Sequence, residues 1–329
     1  MALSLDLLTS RVAKYFNMHA KQYGLRKDKV EARYILNWGG FVNASFKISD
    51  REKAYHLKLA DDPEMQDQLL GWLDVADRLA ERYRAPRVLE WIKVPQTKYE
   101  GLLMEFIHGE AADFVQQPEI LRGLLALLPE LHRDSKLRGA LTPPDGPPTC
   151  TEYFFSVYID RFDSDLMEII PNLPPFVDLP LVDWMQGETR ELEGLARDLP
   201  AFDRPANAPT HGDLGPNNVL VTDTGKWHII DWDDLELGDP VFDYGIILCD
   251  LWYRGELSQE AMLALLPDVP ALRERFDVFQ RAFVLDMVID PLADWVAAEF
   301  SPEHVEEVRA EKERVHKEAL AKYRTLYPA

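Results

Sequence analysis

The sequence predicts an α+β protein in two parts, and two observations lead to that class. Between residues 32 and 105, short apolar runs typical of β-strands are interrupted by a single long amphipathic helical pattern. After residue 105 the apolar residues recur mostly at helical spacing. We therefore expect an N-terminal lobe over residues 1–105, with an antiparallel five-stranded sheet and one main helix, and a mostly helical C-terminal lobe over residues 106–329.

The first lobe opens with a helix over residues 3–23, which carries its apolar residues on one side and ends at Gly24. The main helix begins at Pro63 and continues to about Tyr83, with an apolar residue every 3.6 positions. The five expected strands are YILNW, FVNASFKIS and AYHLKLA before the main helix, and APRVLEWI and GLLMEFI after it.

The second lobe is expected to be helical over residues 118–132, 151–168 and 181–197, and again from Asp243 onward. The segment 218–231 interrupts these helices with NVLV, TDTG and KWHIID, a pattern typical of a β-hairpin. Ser301-Pro302-Glu303 provides the N-cap and first turn of a last helix of about 24 residues.

The composition excludes several classes of protein. Hydrophobic residues make up 47 % of the 329 residues and charged residues 28 %, which is typical of a globular protein. Two cysteines, Cys150 and Cys249, are too few for a disulfide framework or a zinc site. No apolar run approaches a membrane span, and the N-terminus lacks the basic flank of a signal peptide. A net charge of −21 argues against a nucleic-acid partner. Because the sequence predicts neither a membrane span nor a signal peptide, we expect a cytoplasmic protein without a membrane partner.

The net negative charge comes from the second lobe. Residues 1–105 contain 15 acidic and 17 basic residues, whereas residues 106–329 contain 42 acidic and 19 basic residues. The excess of acids either serves solubility or attracts a cationic ligand.

The segment 210–245 carries the strongest chemical signal. His211, Asp213, Asn218 and Asp231 are distributed around the predicted hairpin, whose strand ends lie close together. Asn218 and Asp231 can therefore face one point and offer the oxygen ligands that Mg²⁺ prefers. Asp213 is left to accept a proton from a hydroxyl group, so the set is typical of a phosphoryl-transfer site. A metal-hydrolase site built on His211 and Asp213 would need further histidines, and the nearest is His228.

The motifs HGDLGPNNVL, IIDWDD and LGDPVFD resemble those of the aminoglycoside phosphotransferase and choline kinase superfamily of small-molecule kinases. Their order and spacing agree over some 36 residues, and the strand-rich start and helix-rich remainder extend the resemblance over most of the chain. The resemblance implies a bilobal protein-kinase-like fold. It also implies that Asp213 is the catalytic base and that Asn218 and Asp231 bind Mg²⁺. His211 would brace the catalytic loop, and Asp243 would tie that loop to the following helix. Asp239 would cap or orient the turn formed by the Gly-Asp-Pro sequence at 238–240.

The resemblance also assigns the nucleotide-binding residues. Gly39 and Gly40 allow the turn between the first two strands to approach phosphates closely, and Lys58 on the third strand would meet the α- and β-phosphates. An acid early in the main helix would hold Lys58, with Glu64 as the first choice and Asp67 as the alternative. The remaining nucleotide contacts are expected from Asn43 and from the backbone of Glu105 and Ile107.

Acidic residues of the second lobe are the candidates for substrate binding. Asp286, Asp290 and Asp294 fall on one helical face, and Glu236 and Asp250 flank the motif region. They either form a solvated surface or bind an amine.

The sequence as a whole predicts a Mg²⁺-dependent kinase. The donor would be ATP or GTP, and the acceptor would be a hydroxyl group of a small, cationic molecule such as an aminoglycoside antibiotic or an amino alcohol. No obligatory protein partner is evident. The alternatives are a kinase of another metabolite, such as a sugar, homoserine or a macrolide, and a catalytically inactive nucleotide-binding regulator.

Overall fold

The computed structural model describes residues 4–35, 43–298 and 305–328. These residues form two compact units. The first contains the chain up to Leu131 together with Ser135–Leu141 and His211–Glu236, and the second contains the rest. The segment that carries the phosphoryl-transfer motif therefore belongs to the same unit as the N-terminal strands. The division of function at residue 105 stays a prediction.

The helices agree in type with the predicted ones, although several bounds differ. In chain order they are α1 (Leu5–Met18), α2 (Pro63–Arg82), α3 (Pro118–His132), α4 (Ser135–Leu141), α5 (Cys150–Phe154), α6 (Asp160–Ile169), α7 (Leu179–Asp198), α8 (Pro240–Tyr253), α9 (Gln259–Leu265), α10 (Pro270–Ala297) and α11 (Val305–Leu326). A π-helical turn over Phe155–Ile159 joins α5 to α6 and divides the single helix predicted for residues 151–168.

The strands form three sheets. In chain order they are β1 (Glu31–Tyr34), β2 (Ala44–Ser49), β3 (Ala54–Ala60), β4 (Val88–Lys93), β5 (Glu100–Glu105), β6 (Glu110–Ala111), β7 (Ala208–Thr210), β8 (Val219–Val221), β9 (Trp227–Ile229) and β10 (Glu236–Gly238). The five-stranded sheet has the order β1-β2-β3-β5-β4 and is antiparallel throughout, which confirms the predicted fold class. The sheet β6-β8-β9 contains the predicted hairpin, and β7 pairs with β10.

The two faces of β3 have different roles. Leu57 and Leu59 are fully buried in a core that includes Val12 and Phe16 of α1. Because side chains alternate along a strand, His56 and Lys58 point to the opposite face. This alternation separates the core of the sheet from the residues available for a ligand.

The structure differs from the sequence prediction at three further points. Helix α1 ends at Met18 rather than near residue 23, because residues 19–24 form turns that close at Gly24 with a φ of 64°. Strand β1 begins three residues before the predicted YILNW, most of which lies outside the described residues. The strands β6, β7 and β10 and the helix α4 were not predicted, because elements this short leave little periodic pattern.

The second unit is built on α5–α11 around an aromatic core. Phe154 packs edge-on against Phe202 and Phe279, with ring centroids 5.5 and 5.0 Å apart. No helix in the described parts of the chain is long and apolar enough to cross a membrane.

Candidate active site

A cavity of about 450 Å³ lies within the first unit. Polar and charged side chains form much of its wall: Asn43, Ser45, His56, Lys58, Gln68, Asp213, Asn217, Asn218, Asp231, Asp233 and Asp234. Apolar and aromatic residues form the remainder: Ile35, Met65, Trp72, Pro86, Met104 and Ile230. The wall thus offers both charge and an apolar surface to one ligand, and it joins β3 and α2 to the segment 211–236.

Lys58 is the basic centre of this wall. Its ammonium group forms salt bridges with Asp231 and with Asp233, the latter at 2.6 Å, and the lysine side chain is only 8 % exposed. Burial alone would lower the pKa of Lys58, but the charges of Asp233 and Asp231 outweigh it and the pKa lies above its usual value. The side-chain amide of Asn43 donates to Oδ2 of Asp233 at 2.9 Å, and Lys58 contacts this same oxygen.

The two carboxylates beside Lys58 differ in basicity. At Asp231, burial would raise the pKa, but Lys58 and a hydrogen bond with Asp233 outweigh it and lower the pKa. At Asp233, burial and the charge of Asp231 prevail over Lys58, so the pKa is raised. Asp231 also has a left-handed backbone, with a φ of 66°, which is uncommon for a residue other than glycine and occurs often at functional sites.

The loop after β7 places Asp213 at the cavity. The backbone N–H of Asp213 donates to Nδ1 of His211 at 3.2 Å, so the Nε2 atom of this ring carries the proton and donates to the carbonyl of Ile230 at 2.9 Å. The side-chain amide of Asn218 donates to the carbonyl of Asp213 at 2.7 Å and to its carboxylate at 2.8 Å. His211 is fully buried and Asp213 is exposed, so the histidine supports the loop and the aspartate faces solvent.

Gly212 allows this loop to approach the segment after β9. Its φ is 86°, and a Cβ atom at this position would lie 2.5 Å from the carbonyl oxygen of Asp234. Burial, together with the charges of Asp233 and Asp213, raises the pKa of Asp234. The described wall of the cavity thus contains four aspartates and one lysine, and two of the aspartates pair with the lysine.

The structure pairs Lys58 with acids other than those predicted on the main helix. Glu64 and Asp67 are both exposed, and neither is a partner of Lys58 among the described residues. The face of α2 toward the cavity carries Met65 and Gln68 instead. Asp231 and Asp233, from the segment after β9, form the salt bridges with Lys58 instead of Glu64 and Asp67.

Of the residues predicted to contact the nucleotide, some line the cavity and others do not. Asn43 lines the cavity, whereas Gly39 and Gly40 lie outside the described residues. Glu105 ends β5, and its N–H donates to the carbonyl of Arg87 at 2.9 Å, so this N–H is already used within the protein. Met104 lines the cavity, and Glu105 and Ile107 are not among its lining residues. Their contact with a nucleotide stays a prediction.

Asp239 and Asp243 belong to the second unit and are fully buried. Asp239 is the N-cap of α8, where it accepts from the N–H of Val241 at 3.1 Å and from Arg275 Nη2 at 2.9 Å. Asp243 lies 2.8 Å from Nε2 of His132. These contacts stabilise the start of α8.

The acids proposed to bind substrate are spread over both units, and three of them are already paired. Glu236 is exposed at the start of β10. In the second unit, Asp250 forms a salt bridge with Arg254 at 2.9 Å and Asp286 with Arg161. Asp290 has no described salt bridge, and burial together with Asp286 and Asp294 raises its pKa to about 6. Asp294 pairs with Lys312.

The donor set of the cavity suits a divalent cation. No three His, Cys, Asp or Glu side chains in the described ranges are arranged to hold a metal ion by themselves. Mg²⁺, however, usually takes one or two carboxylates and completes its shell with waters and phosphates. Asp231 and Asp233 already share a cation, the Lys58 ammonium, and the amide oxygen of Asn218 is not used in its contacts with Asp213. These residues fit Mg²⁺.

The sequence profile of the phosphotransferase enzyme family matches residues 34–276. This chain belongs to that family. The match spans β2–β5, the loop 211–218, the hairpin and α8, so it includes every described residue that lines the cavity. The resemblance inferred from the motifs is thereby confirmed, and the chain is an enzyme of the phosphotransferase type.

Solved structures with the same fold include other phosphotransferases. The GDP and kanamycin complex of APH(2″)-IIIa has a TM-score of 0.61 and 17 % identity, over 94 % of this chain and 99 % of that chain. A choline kinase from Cryptosporidium parvum has a TM-score of 0.55 and 15 % identity, over 95 % and 97 %. An ethanolamine kinase from Plasmodium vivax has a TM-score of 0.57 and 14 % identity, over 96 % and 89 %.

The structure adds residues of this phosphotransferase that sequence reasoning did not assign. Asp233 and Asp234 follow Asp231 in the motif IIDWDD, so the run of acids was a signal for both. His56 lies two residues before Lys58, on the same face of β3, and strand alternation would have found it. Gln68 and Trp72 gave no signal, because the sequence does not fix which side of α2 faces a ligand.

Proposed function

We propose that this phosphotransferase transfers the γ-phosphoryl group of ATP, with GTP as the alternative donor, to a hydroxyl group of a small molecule that carries an amine. One observation carries the proposal. A single cavity brings together a buried lysine, Lys58, an exposed carboxylate, Asp213, and the acids Asp231, Asp233 and Asp234. Phosphoryl transfer needs this combination, because its catalysis consists largely of positioning and charge stabilisation.

Asp213 is suited to orient the acceptor. Its carboxylate is exposed at the cavity, so a hydroxyl group can reach it. The amide of Asn218 holds one carboxylate oxygen at 2.8 Å, which fixes the rotamer and leaves the other oxygen to accept the proton of the hydroxyl. A carboxylate positioned in this way supplies general-base catalysis without a further side chain.

Lys58 is suited to bind the phosphates of the donor. An ammonium group has three N–H bonds, and those used for Asp231 and Asp233 can be turned to phosphate oxygens when these replace the carboxylates. Mg²⁺, when bound through Asp231 and Asn218, supplies a positive charge to the β- and γ-phosphates. Asn43 holds Asp233 in place beside the lysine.

An amine on the acceptor is supported by charge. Residues 106–329 hold 42 acids against 19 bases, and a surface of this kind concentrates cations. Asp290 is available for an ammonium group, whereas Asp286 and Asp250 already have arginine partners. The names of three structures with this fold refer to kanamycin, choline and ethanolamine, each of which carries nitrogen.

The test is a screen of nucleotide consumption with Mg-ATP and Mg-GTP across aminoglycosides, macrolides, amino alcohols and sugars. Asp213→Asn should lower kcat by about 10²–10⁴-fold and leave the nucleotide Kd unchanged, which is the range for a lost general base. Asp223→Asn is the matched control, because Asp223 is exposed in the turn of the same hairpin and should retain wild-type activity. Acceptor-dependent turnover in Asp213→Asn above a third of the wild-type rate would contradict the role of this residue.

A further inference from the structure

Two backbone carbonyl groups just before Asp231 are bound by aromatic side chains. The indole N–H of Trp232 turns back along the chain and donates to the buried carbonyl of Ile229 at 2.9 Å. The Nε2 atom of His211 donates to the carbonyl of Ile230, also at 2.9 Å. Buried carbonyl groups need a hydrogen-bond partner, and β9 ends at Ile229. Side chains therefore supply here what a neighbouring strand supplies within a sheet.

These two bonds lie where the backbone adopts an uncommon conformation. Asp231 has a left-handed φ of 66°, which a residue other than glycine keeps only when its surroundings hold it. Ile229 is held through both of its peptide groups, because its N–H donates to the carbonyl of Arg84 at 3.2 Å and its carbonyl accepts from Trp232. The bond from Trp232 spans Ile230 and Asp231. It therefore closes a loop around the left-handed residue.

The side chain of Trp232 points away from the carboxylates on either side of it. Asp231 and Asp233 both line the cavity and form salt bridges with Lys58. Trp232 is fully buried and is not among the described residues that line the cavity. Its ring packs against that of His211, with centroids 4.6 Å apart. Trp232 is thus fixed in the interior by its ring and by its hydrogen bond, and this turns both neighbouring carboxylates toward the lysine.

We propose that Trp232 is a positioning residue of the phosphoryl-transfer site. Its indole N–H, bound to the carbonyl of Ile229, fixes the left-handed backbone of Asp231 and thereby directs the Asp231 carboxylate into the cavity. This inference rests on the proposed function, in which Asp231 takes part in the Mg²⁺-dependent binding of the donor. A residue that only fills the core would act through its ring alone, whereas Trp232 acts through one N–H group as well.

The test removes the indole N–H and keeps an aromatic ring. Trp232→Phe loses the donor and part of the ring, whereas the analogue benzothienylalanine at position 232 keeps the indole shape and has sulfur in place of N–H. Calorimetry gives the dissociation constant of ADP with and without Mg²⁺. We expect each variant to weaken Mg-ADP binding by about 3–10-fold, the value of one hydrogen bond, because Asp231 is no longer held. Binding of ADP without Mg²⁺ should stay within about twofold of wild type, since it does not use Asp231 as a metal ligand.

Trp91→Phe is the matched control. Trp91 is half-buried on β4 of the same unit, and its indole N–H donates to Glu100 at 3.1 Å. Neither side chain is among the described residues that line the cavity, so both dissociation constants should stay unchanged.

Circular dichroism confirms that each variant is folded, and the analogue decides the test if Trp232→Phe does not fold. An equal loss of ADP binding with and without Mg²⁺ would show that Trp232 is only a core residue and would overturn the inference. Wild-type binding in both variants would also overturn it, and in either case the proposed function stands. If Mg²⁺ does not strengthen ADP binding by the wild-type enzyme, the proposed function fails in its use of Mg²⁺ and this inference fails with it.

Discussion

Replacing Lys58 by methionine tests the arrangement of charges at the centre of the cavity. Methionine keeps a long apolar side chain and removes only the ammonium group. Asp231 and Asp233 would then share the site without a counter-charge, with side chains 31 % and 12 % exposed. Removing one partner of a buried ion pair costs about 3–5 kcal/mol, and the partial exposure of Asp231 reduces this to about 2–3 kcal/mol of unfolding free energy at pH 7.

The loss should depend on pH. In wild type, Lys58 lowers the pKa of Asp231 below its unfolded value, so the stabilisation from Asp231 is present above a pH of about 4 and is lost as pH falls. In Lys58→Met, burial and mutual repulsion raise the pKa of both carboxyl groups above their unfolded values. Each then destabilises the protein at neutral pH, and the penalty disappears as the groups are protonated.

Urea unfolding followed by circular dichroism at pH 7 and at pH 4.5 measures both effects. Lys14→Met is the control, because Lys14 is exposed on α1 and its loss should change the free energy by less than about 0.5 kcal/mol. A destabilisation of Lys58→Met below about 0.5 kcal/mol at pH 7 would refute the reasoning, since exposed pairs have values in this range. So would a larger destabilisation that is the same at both pH values.

Three further predictions concern the metal, the acceptor and the second unit. Asp231→Ala should abolish Mg²⁺-dependent nucleotide binding in calorimetry and Asn218→Ala should weaken it; wild-type affinity in both would make the hairpin purely structural. The KM of an amine acceptor, measured at saturating Mg-ATP, should rise with salt because exposed charges are screened over about 8 Å at physiological ionic strength. A KM that does not change with salt would indicate that the acidic residues serve solubility rather than substrate binding. Arg275→Met should lower the free energy of unfolding by about 3–5 kcal/mol, because it leaves Asp239 buried without its partner. The exposed Arg273→Met on the same helix should change it little, and equal effects would contradict this prediction.

The sequence predicted the elements whose patterns are long or strongly alternating. Strand β3 was placed at residues 54–60 and α3 at residues 118–132, as observed. Both have an unbroken periodicity and clear polar boundaries. The hairpin at 218–231 was found because a turn with Gly225 separates two apolar runs.

The partner of Lys58 could not be predicted in the same way. Each residue of a helix is rotated by about 100° from the one before, so a shift of one position separates exposed Glu64 from Met65 at the cavity wall. The apolar pattern of α2 shows which side is buried but not where a ligand approaches. In the structure its partners are Asp231 and Asp233, more than 170 positions further along the chain, and local patterns contain no information on such pairs.

The pairing of Lys58 with Asp231 also affects how the protein is synthesised. The two residues are 173 positions apart, yet they belong to one compact unit. At about 5–20 residues per second, a ribosome needs roughly 9–35 s to add the intervening chain. Once Glu105 has been added, the N-terminal sheet is complete in sequence, but it still lacks the carboxylates that neutralise its buried lysine. We therefore expect nascent chains shorter than about 236 residues to expose the cavity wall and to depend on chaperones or the ribosome surface until the hairpin emerges and completes the unit.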